Sequence, residues 1–211
     1  MAHIPDGVVS TPILTIGALG TIAALSYGLK KLDTDKIPQT AMLSAVFFIS
    51  SLITFPVGPS SIHLLFNGLM GLLLGWAAVP AIFVALLLQL MFFGFGGLLV
   101  LGVNTFNMAL PAILIALTLR PLLLRQLEKD VSVSKTFALT IGMFCGAISV
   151  AMTTALLGAS LVFSGQEFAP MMKVVLATNI PLMLIEACVT GVVVSFLART
   201  APRTFNMRVS G

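Results

Sequence analysis

Ala81-Ile-Phe-Val-Ala-Leu-Leu-Leu-Gln-Leu-Met-Phe-Phe-Gly-Phe-Gly-Gly-Leu-Leu-Val-Leu101 passes without one charged side chain. A membrane span needs about 20 mostly apolar residues, and this stretch supplies them. Working outward, the same pattern recurs. Of the 211 residues, 58% are hydrophobic and 9% charged, where soluble domains carry about 25% charge. The mean hydropathy of +1.12 agrees. The chain therefore reads as all-α, a polytopic membrane bundle of one domain. Its spans are expected at about Pro12–Leu29, Thr40–Phe55, Ile62–Val79, Ala81–Leu101, a fifth ending near Leu123, Thr136–Phe163 and Met171–Leu197. Pro56 to Ser61 reads as an uncharged turn, Pro80 as the break between the third and fourth spans, and Gly102-Val-Asn-Thr-Phe-Asn107 as a polar loop.

Seven spans put the termini on opposite sides. Ten basic residues then share one face: Lys30, Lys31, Lys36, Arg120, Arg125, Lys129, Lys135, Arg199, Arg203 and Arg208; Lys173 alone falls on the other. The excess of Lys and Arg marks the cytoplasmic side, so the amino terminus is expected outside and the carboxyl terminus inside. Residues 1–9 form a polar leading segment, 10–198 the bundle and 199–211 a basic cytoplasmic tail. The basic residues are scattered over loops, which fits a topology signal or contact with anionic lipid and not a nucleic-acid surface. Cys145 and Cys188 lie in apolar runs with no C-x-x-C spacing and read as packing residues. Gly142/Gly146, Gly71/Gly75 and Gly20/Ala24 have the spacing that brings helices close in lipid.

The chemistry is expected in the leading segment, Met1-Ala2-His3-Ile4-Pro5-Asp6-Gly7. The small Ala2 favours removal of Met1. The chain then begins with the Ala2 amine, the His3 amide and the His3 Nδ1, three nitrogens that close fused chelate rings. His63, the other of the chain's two histidines, follows Pro59-Ser60-Ser61 and is expected at the outer end of the third span, where it would add a fourth nitrogen. A planar nitrogen set suits Ni(II) or Cu(II) over Mg, Ca or tetrahedral Zn, with cobalt open. If Met1 is kept, its amine replaces that of Ala2, and His63 becomes axial or outer. Pro5-Asp6-Gly7 suits a tight turn that would fold the segment back into the helices. A loose terminus and a capping histidine are the plain readings of His3 and His63 taken singly; together they favour a site.

His3-Ile-Pro-Asp-Gly7, Gly58-Pro-Ser-Ser-Ile-His63-Leu-Leu-Phe-Asn67-Gly68, Gly102-Val-Asn-Thr-Phe-Asn-Met108 and Ile185-Glu186 resemble stretches of the cobalt/nickel substrate-binding components of energy-coupling-factor transporters, the CbiM/NikM family. The resemblance covers nearly the whole chain, although Ala187 stands where a glycine is expected. It implies a membrane component that captures Co(2+) or Ni(2+) as transported substrate, with the terminus inserted among the helices. It further implies as partners a transmembrane coupling subunit, a pair of ATP-binding cassette ATPases and a small auxiliary membrane subunit, which this chain is not expected to carry. There is no G-x-x-x-x-G-K-[ST] loop for ATP hydrolysis, so the chain reads as no enzyme. An intramembrane metalloenzyme is the alternative, but H-E-x-x-H is lacking; a stand-alone carrier or channel is another. Ser61, Asn67, Asn104 and Asn107 are candidates for supporting the metal ligands. Glu186, the acid set well inside a span, reads as a packing group or a coupling residue.

Overall fold

The computed structural model describes residues 3–57, 60–129, 134–165 and 169–205. Helices α1 (Thr11–Lys30) and α2 (Ile37–Ser50) come first. Each has a proline in its first turn, where the missing N–H costs nothing and the fixed φ suits a helix. A short antiparallel hairpin follows, β1 (Phe55–Val57) with β2 (Ser60–Ile62), in the register Phe55 opposite Ile62 and Pro56 opposite Ser61. Next are α3 (Asn67–Leu74) and α4 (Ala78–Phe93), then the long helices α5 (Leu101–Lys129), α6 (Lys135–Val162) and α7 (Ala169–Thr200).

By length and composition, five helical stretches can cross a membrane: Thr11–Lys30, Asn67–Phe93, Leu101–Glu128, Lys135–Val162 and Val175–Thr200. The distribution of side chains is that of a protein in lipid. Ile16, Leu19 and Ile22 on α1, and Leu184, Val192 and Phe196 on α7, are exposed. Inside lie Thr21, Ser44, Gln89, Thr105, Ser149, Thr153, Glu186 and Thr190. With hydrocarbon outside, polar side chains turn to the interior.

Helix contacts follow the small residues. On α6, a methyl at Gly142 would lie 2.8 Å from the Gly191 Cα, and one at Gly146 2.5 Å from the Glu186 carbonyl oxygen. The α6–α7 pair thus packs backbone against backbone, as such spacing allows. Gly71 abuts the Ala112 carbonyl on α5, but Gly75 has another task. Its φ of 61° and ψ of −129° lie in a region open to glycine and strained for other residues, and there the chain leaves α3 for a 3-10 turn into α4.

Several helix boundaries differ from those expected. The third span does not begin at Ile62: residues 60–62 are a strand, and the helix starts at Asn67. The interruption before α4 is Gly75-Trp76-Ala77, whereas Pro80 sits in the first turn of α4, where proline is tolerated. The fourth helix ends at Phe93, not Leu101, because Gly94 takes a left-handed φ of 66° and Gly96 one of 79°, a helix-stop conformation. Residues 102–107, expected as a loop, are helical. Their polarity reflects the buried face they present to the bundle interior.

Two sets of contacts mark the two ends of the bundle. At one, the Gln39 Nε2 donates to the Thr204 carbonyl at 2.9 Å, the Arg120 Nη2 donates to that of Phe205 at 3.0 Å, and Tyr27 meets Trp76 edge-on at 4.4 Å. At the other, the Ser10 N–H donates to the Ser164 Oγ at 3.1 Å, and the Ser50 Oγ donates to the Leu64 carbonyl, also at 3.1 Å. His3 lies at this second end.

Candidate metal centre

The leading segment is folded into the bundle. Asp6 and Gly7 make a turn, with Gly7 at a φ of 84°, as Pro5-Asp6-Gly7 led one to expect. Ile4 is 2% exposed and packs with Val9, Val100, Val103, Leu157 and Leu161. Its backbone is gripped by one side chain: the Ile4 N–H donates to the Asn104 Oδ1 at 3.0 Å, and the Asn104 Nδ2 donates to the Ile4 carbonyl, also at 3.0 Å. A carboxamide offers the donor–acceptor pair of a neighbouring strand, so Asn104 substitutes for a β partner. The Asp6 Oδ1 accepts the Val100 N–H at 3.0 Å. Gly96 closes the cradle; a methyl there would lie 2.9 Å from the Asn104 Nδ2 and 3.6 Å from the Ile4 carbonyl.

This grip buries His3 against His63. The two imidazoles stack with centroids 5.6 Å apart and planes 20° from parallel, and Phe95 covers His3 from another side at 6.0 Å. His3 is 9% exposed and His63 3%. Burial first, then the neighbouring His63, lowers the pKa of His3 to about 3. Burial likewise lowers that of His63, against an opposing contribution from its hydrogen bond to Leu64. Both rings are therefore neutral at ordinary pH, as ligands must be.

The tautomer of His63 follows from its partner. Its Nδ1 lies 3.1 Å from the Leu64 carbonyl. A carbonyl only accepts, so Nδ1 carries the proton and Nε2 is left with a bare lone pair. That Nε2 is buried without a hydrogen-bond partner among the described residues, as is the Nε2 of His3. A buried unpaired polar atom costs about 1–3 kcal/mol; the bare His63 Nε2, on a ring that faces His3, marks a place that something else completes. Among the described residues, no group of three or more His, Cys, Asp or Glu side chains gathers.

His63 is not at a helix N-terminus, as expected, but in an irregular segment between β2 and α3. Asn67, 0% exposed, ties helices: its Nδ2 donates to the Met108 carbonyl at 3.1 Å and the Thr153 Oγ1 at 2.8 Å, while its Oδ1 accepts the Gly68 N–H at 3.0 Å. The Asn107 Nδ2 donates to the Ser160 Oγ at 3.3 Å, so its amide bridges α5 and α6. Ser61 stands on β2 opposite Pro56. Met1 and Ala2 lie outside the described residues. Three participants were not expected: Asp6 as a hydrogen-bond acceptor, Phe95 as a cover for His3, and Glu186, whose carboxylate accepts the N–H groups of Leu65 and Phe66. A buried acid in a span was the available signal for the last.

A helical bundle with an apolar exterior and its polar side chains turned inward is a multi-pass membrane protein. The family of cobalt uptake substrate-specific transmembrane regions, CbiM, matches residues 3–204, and the chain belongs to it. A putative metal transport protein of Haemophilus influenzae is 37% identical over 206 residues, 97% of each chain. The cobalt transport protein CbiM of Carboxydothermus hydrogenoformans is 26% identical over 93% of this chain and 83% of its own. The fused nickel transport protein NikMN of Rhodobacter capsulatus is 38% identical over 54% of this chain and 35% of its own length. A truncated transition metal transporter of known structure superposes with a TM-score of 0.69 at 26% identity, covering 93% of this chain and 96% of that one. The chain is thus a membrane component of cobalt or nickel uptake, a transport part and not an enzyme.

Proposed function

We propose that this chain is the substrate-capture component of an ATP-driven importer and holds Co(2+) or Ni(2+) in a planar set of nitrogens. The set comprises the Ala2 amine after loss of Met1, the amide nitrogen and Nδ1 of His3, and the Nε2 of His63. One observation carries the reading. The chain's two histidines, 60 positions apart in sequence (63 − 3), stack with centroids 5.6 Å apart, and the His63 lone pair has no partner among the described residues. A metal about 2 Å from a nitrogen of each ring, the two nitrogens at right angles in the plane, holds centroids roughly 4–5 Å apart, so the stacked rings stand about 1 Å short of closing on the ion. The Leu64 carbonyl on Nδ1 orients the His63 ring as an outer ligand shell does.

The same reading includes seven crossings with the amino terminus outside. Contacts near Ser10, Ser50, Leu64, Phe93, Asn104 and Ser164 belong to one end, and those near Tyr27, Gln39, Gly75, Arg120 and Thr204 to the other. Each of α1 to α7 then runs opposite to its predecessor, the stretch Asn67–Phe93 turning back at Gly75, and the basic residues collect at the Arg120–Thr204 end. A transmembrane coupling subunit, paired ATPases and a small auxiliary membrane subunit would supply energy from that cytoplasmic face. Isothermal titration of the purified protein with Ni(II) and Co(II) tests the capture site. A native terminus binds one ion per chain, and His63→Ala loses at least tenfold in affinity; equal binding by the variant overturns the reading.

A further inference from the structure

The segment that carries His63 is held by a side chain of α7. Residues 63–66 belong to neither strand nor helix, so their backbone groups lack ladder partners, and buried N–H groups without partners are costly. Glu186 supplies two. From α7, with 0% exposure, its Oε2 accepts the Leu65 N–H at 3.0 Å and its Oε1 accepts the Phe66 N–H at 2.6 Å. The second of these residues is left-handed. Phe66 has a φ of 50°, the only positive φ at a non-glycine residue among those described. Such a conformation is strained at a residue with a Cβ and persists only where its surroundings hold it. The Glu186 carboxylate, closing on two consecutive amides, is what holds it. The preceding residue is fixed from another direction: the Leu64 carbonyl accepts both the Ser50 Oγ–H and the His63 Nδ1–H. The backbone around Glu186 is itself fixed by the close approach of Gly146 on α6.

We propose that Glu186 is a positioning residue for the metal site: its carboxylate fixes the left-handed backbone at Leu65-Phe66 that presents the His63 imidazole to His3. This rests on the reading that His63 ligates the metal. Glutamine tests it sharply, because a carboxamide keeps the shape but has one acceptor oxygen, and its NH2 would face an N–H.

The experiment compares wild-type protein and Glu186→Gln, both with a native terminus, by Ni(II) titration, by the visible absorption of the bound ion, and by hydrogen exchange at residues 65 and 66. We expect at least a tenfold weaker Ni(II) affinity, a shifted metal absorption band and faster exchange at Leu65 and Phe66, with a thermal midpoint close to that of wild type. Wild-type affinity and an unshifted band in Glu186→Gln overturn the proposal. If the variant does not fold, wild-type exchange decides: slow exchange at both amides supports the proposal, and rapid exchange overturns it. If wild-type protein binds no ion, the capture reading fails, while exchange at the two amides still reports whether the carboxylate holds the segment.

Discussion

Replacing Asn104 by alanine removes the clamp on the leading segment and leaves its backbone stranded. Two hydrogen bonds are lost, each worth about 1 kcal/mol net. The Ile4 N–H and carbonyl are then buried without partners, at about 1–3 kcal/mol each if no water enters. The docked terminus is therefore destabilised by about 2–4 kcal/mol. At 1.4 kcal/mol per decade this corresponds to roughly 30- to 1,000-fold in the docked population. Part of the loss is absorbed by whatever surplus the docked state has, notably from the burial of Ile4. Apparent metal affinity falls only once the docked fraction drops below unity, so the threshold expectation is a tenfold rise in Kd for Ni(II) by calorimetry. Asn107→Ala is the matched control. It removes a similar amide one helical turn away that bonds to Ser160 and not to the terminus, and its Kd should stay within threefold of wild type. An Asn104→Ala protein that keeps its thermal midpoint and binds within threefold of wild type would refute the argument that this side chain docks the ligand-bearing segment.

Three further outcomes follow. An undocked His3 titrates near its ordinary value of 6.5, whereas the docked ring is held at about 3; docking is complete above pH 6.5 and weakens as pH falls toward 3, by up to about 1.4 kcal/mol per pH unit. A spin label near the metal-free terminus should become more mobile between pH 6.5 and 5, and a flat profile would contradict this. Gly146→Val forces α6 away from the Glu186 carbonyl; overpacking of this kind costs about 1–3 kcal/mol, and the thermal midpoint in detergent should drop by several degrees. Ser164→Cys should react with an impermeant thiol reagent from outside intact cells and Arg203→Cys only after permeabilisation; labelling of both from one side would remove the odd-numbered topology.

The meeting of His3 with His63 was legible in the sequence because the parts of the candidate site are scarce. Two histidines and a Pro5-Asp6-Gly7 turn leave few arrangements, and the structure brings His3 and His63 together. The helix layout was legible only coarsely. Hydropathy marks apolar runs, but in a membrane bundle polar residues go inward and apolar residues occur in connections. Asn104 and Asn107 therefore read as a loop although they line a helix, and Gly94 to Val100 read as span although they connect α4 to α5. Gly75 shared the spacing of a packing motif, and only its backbone conformation reveals a break. The roles of Asp6 and Glu186 depend on partners about 94 and 120 positions away, and no local pattern records such pairs.

X-ray absorption and magnetic measurement on the nickel-loaded native protein read the ligand shell itself. A planar nitrogen site gives a diamagnetic Ni(II) with an all-nitrogen shell showing the scattering of two imidazoles, and the signal disappears when the terminus is extended by a tag. A paramagnetic six-coordinate ion with an oxygen-rich shell, or the same spectrum with the terminus blocked, would contradict such a site.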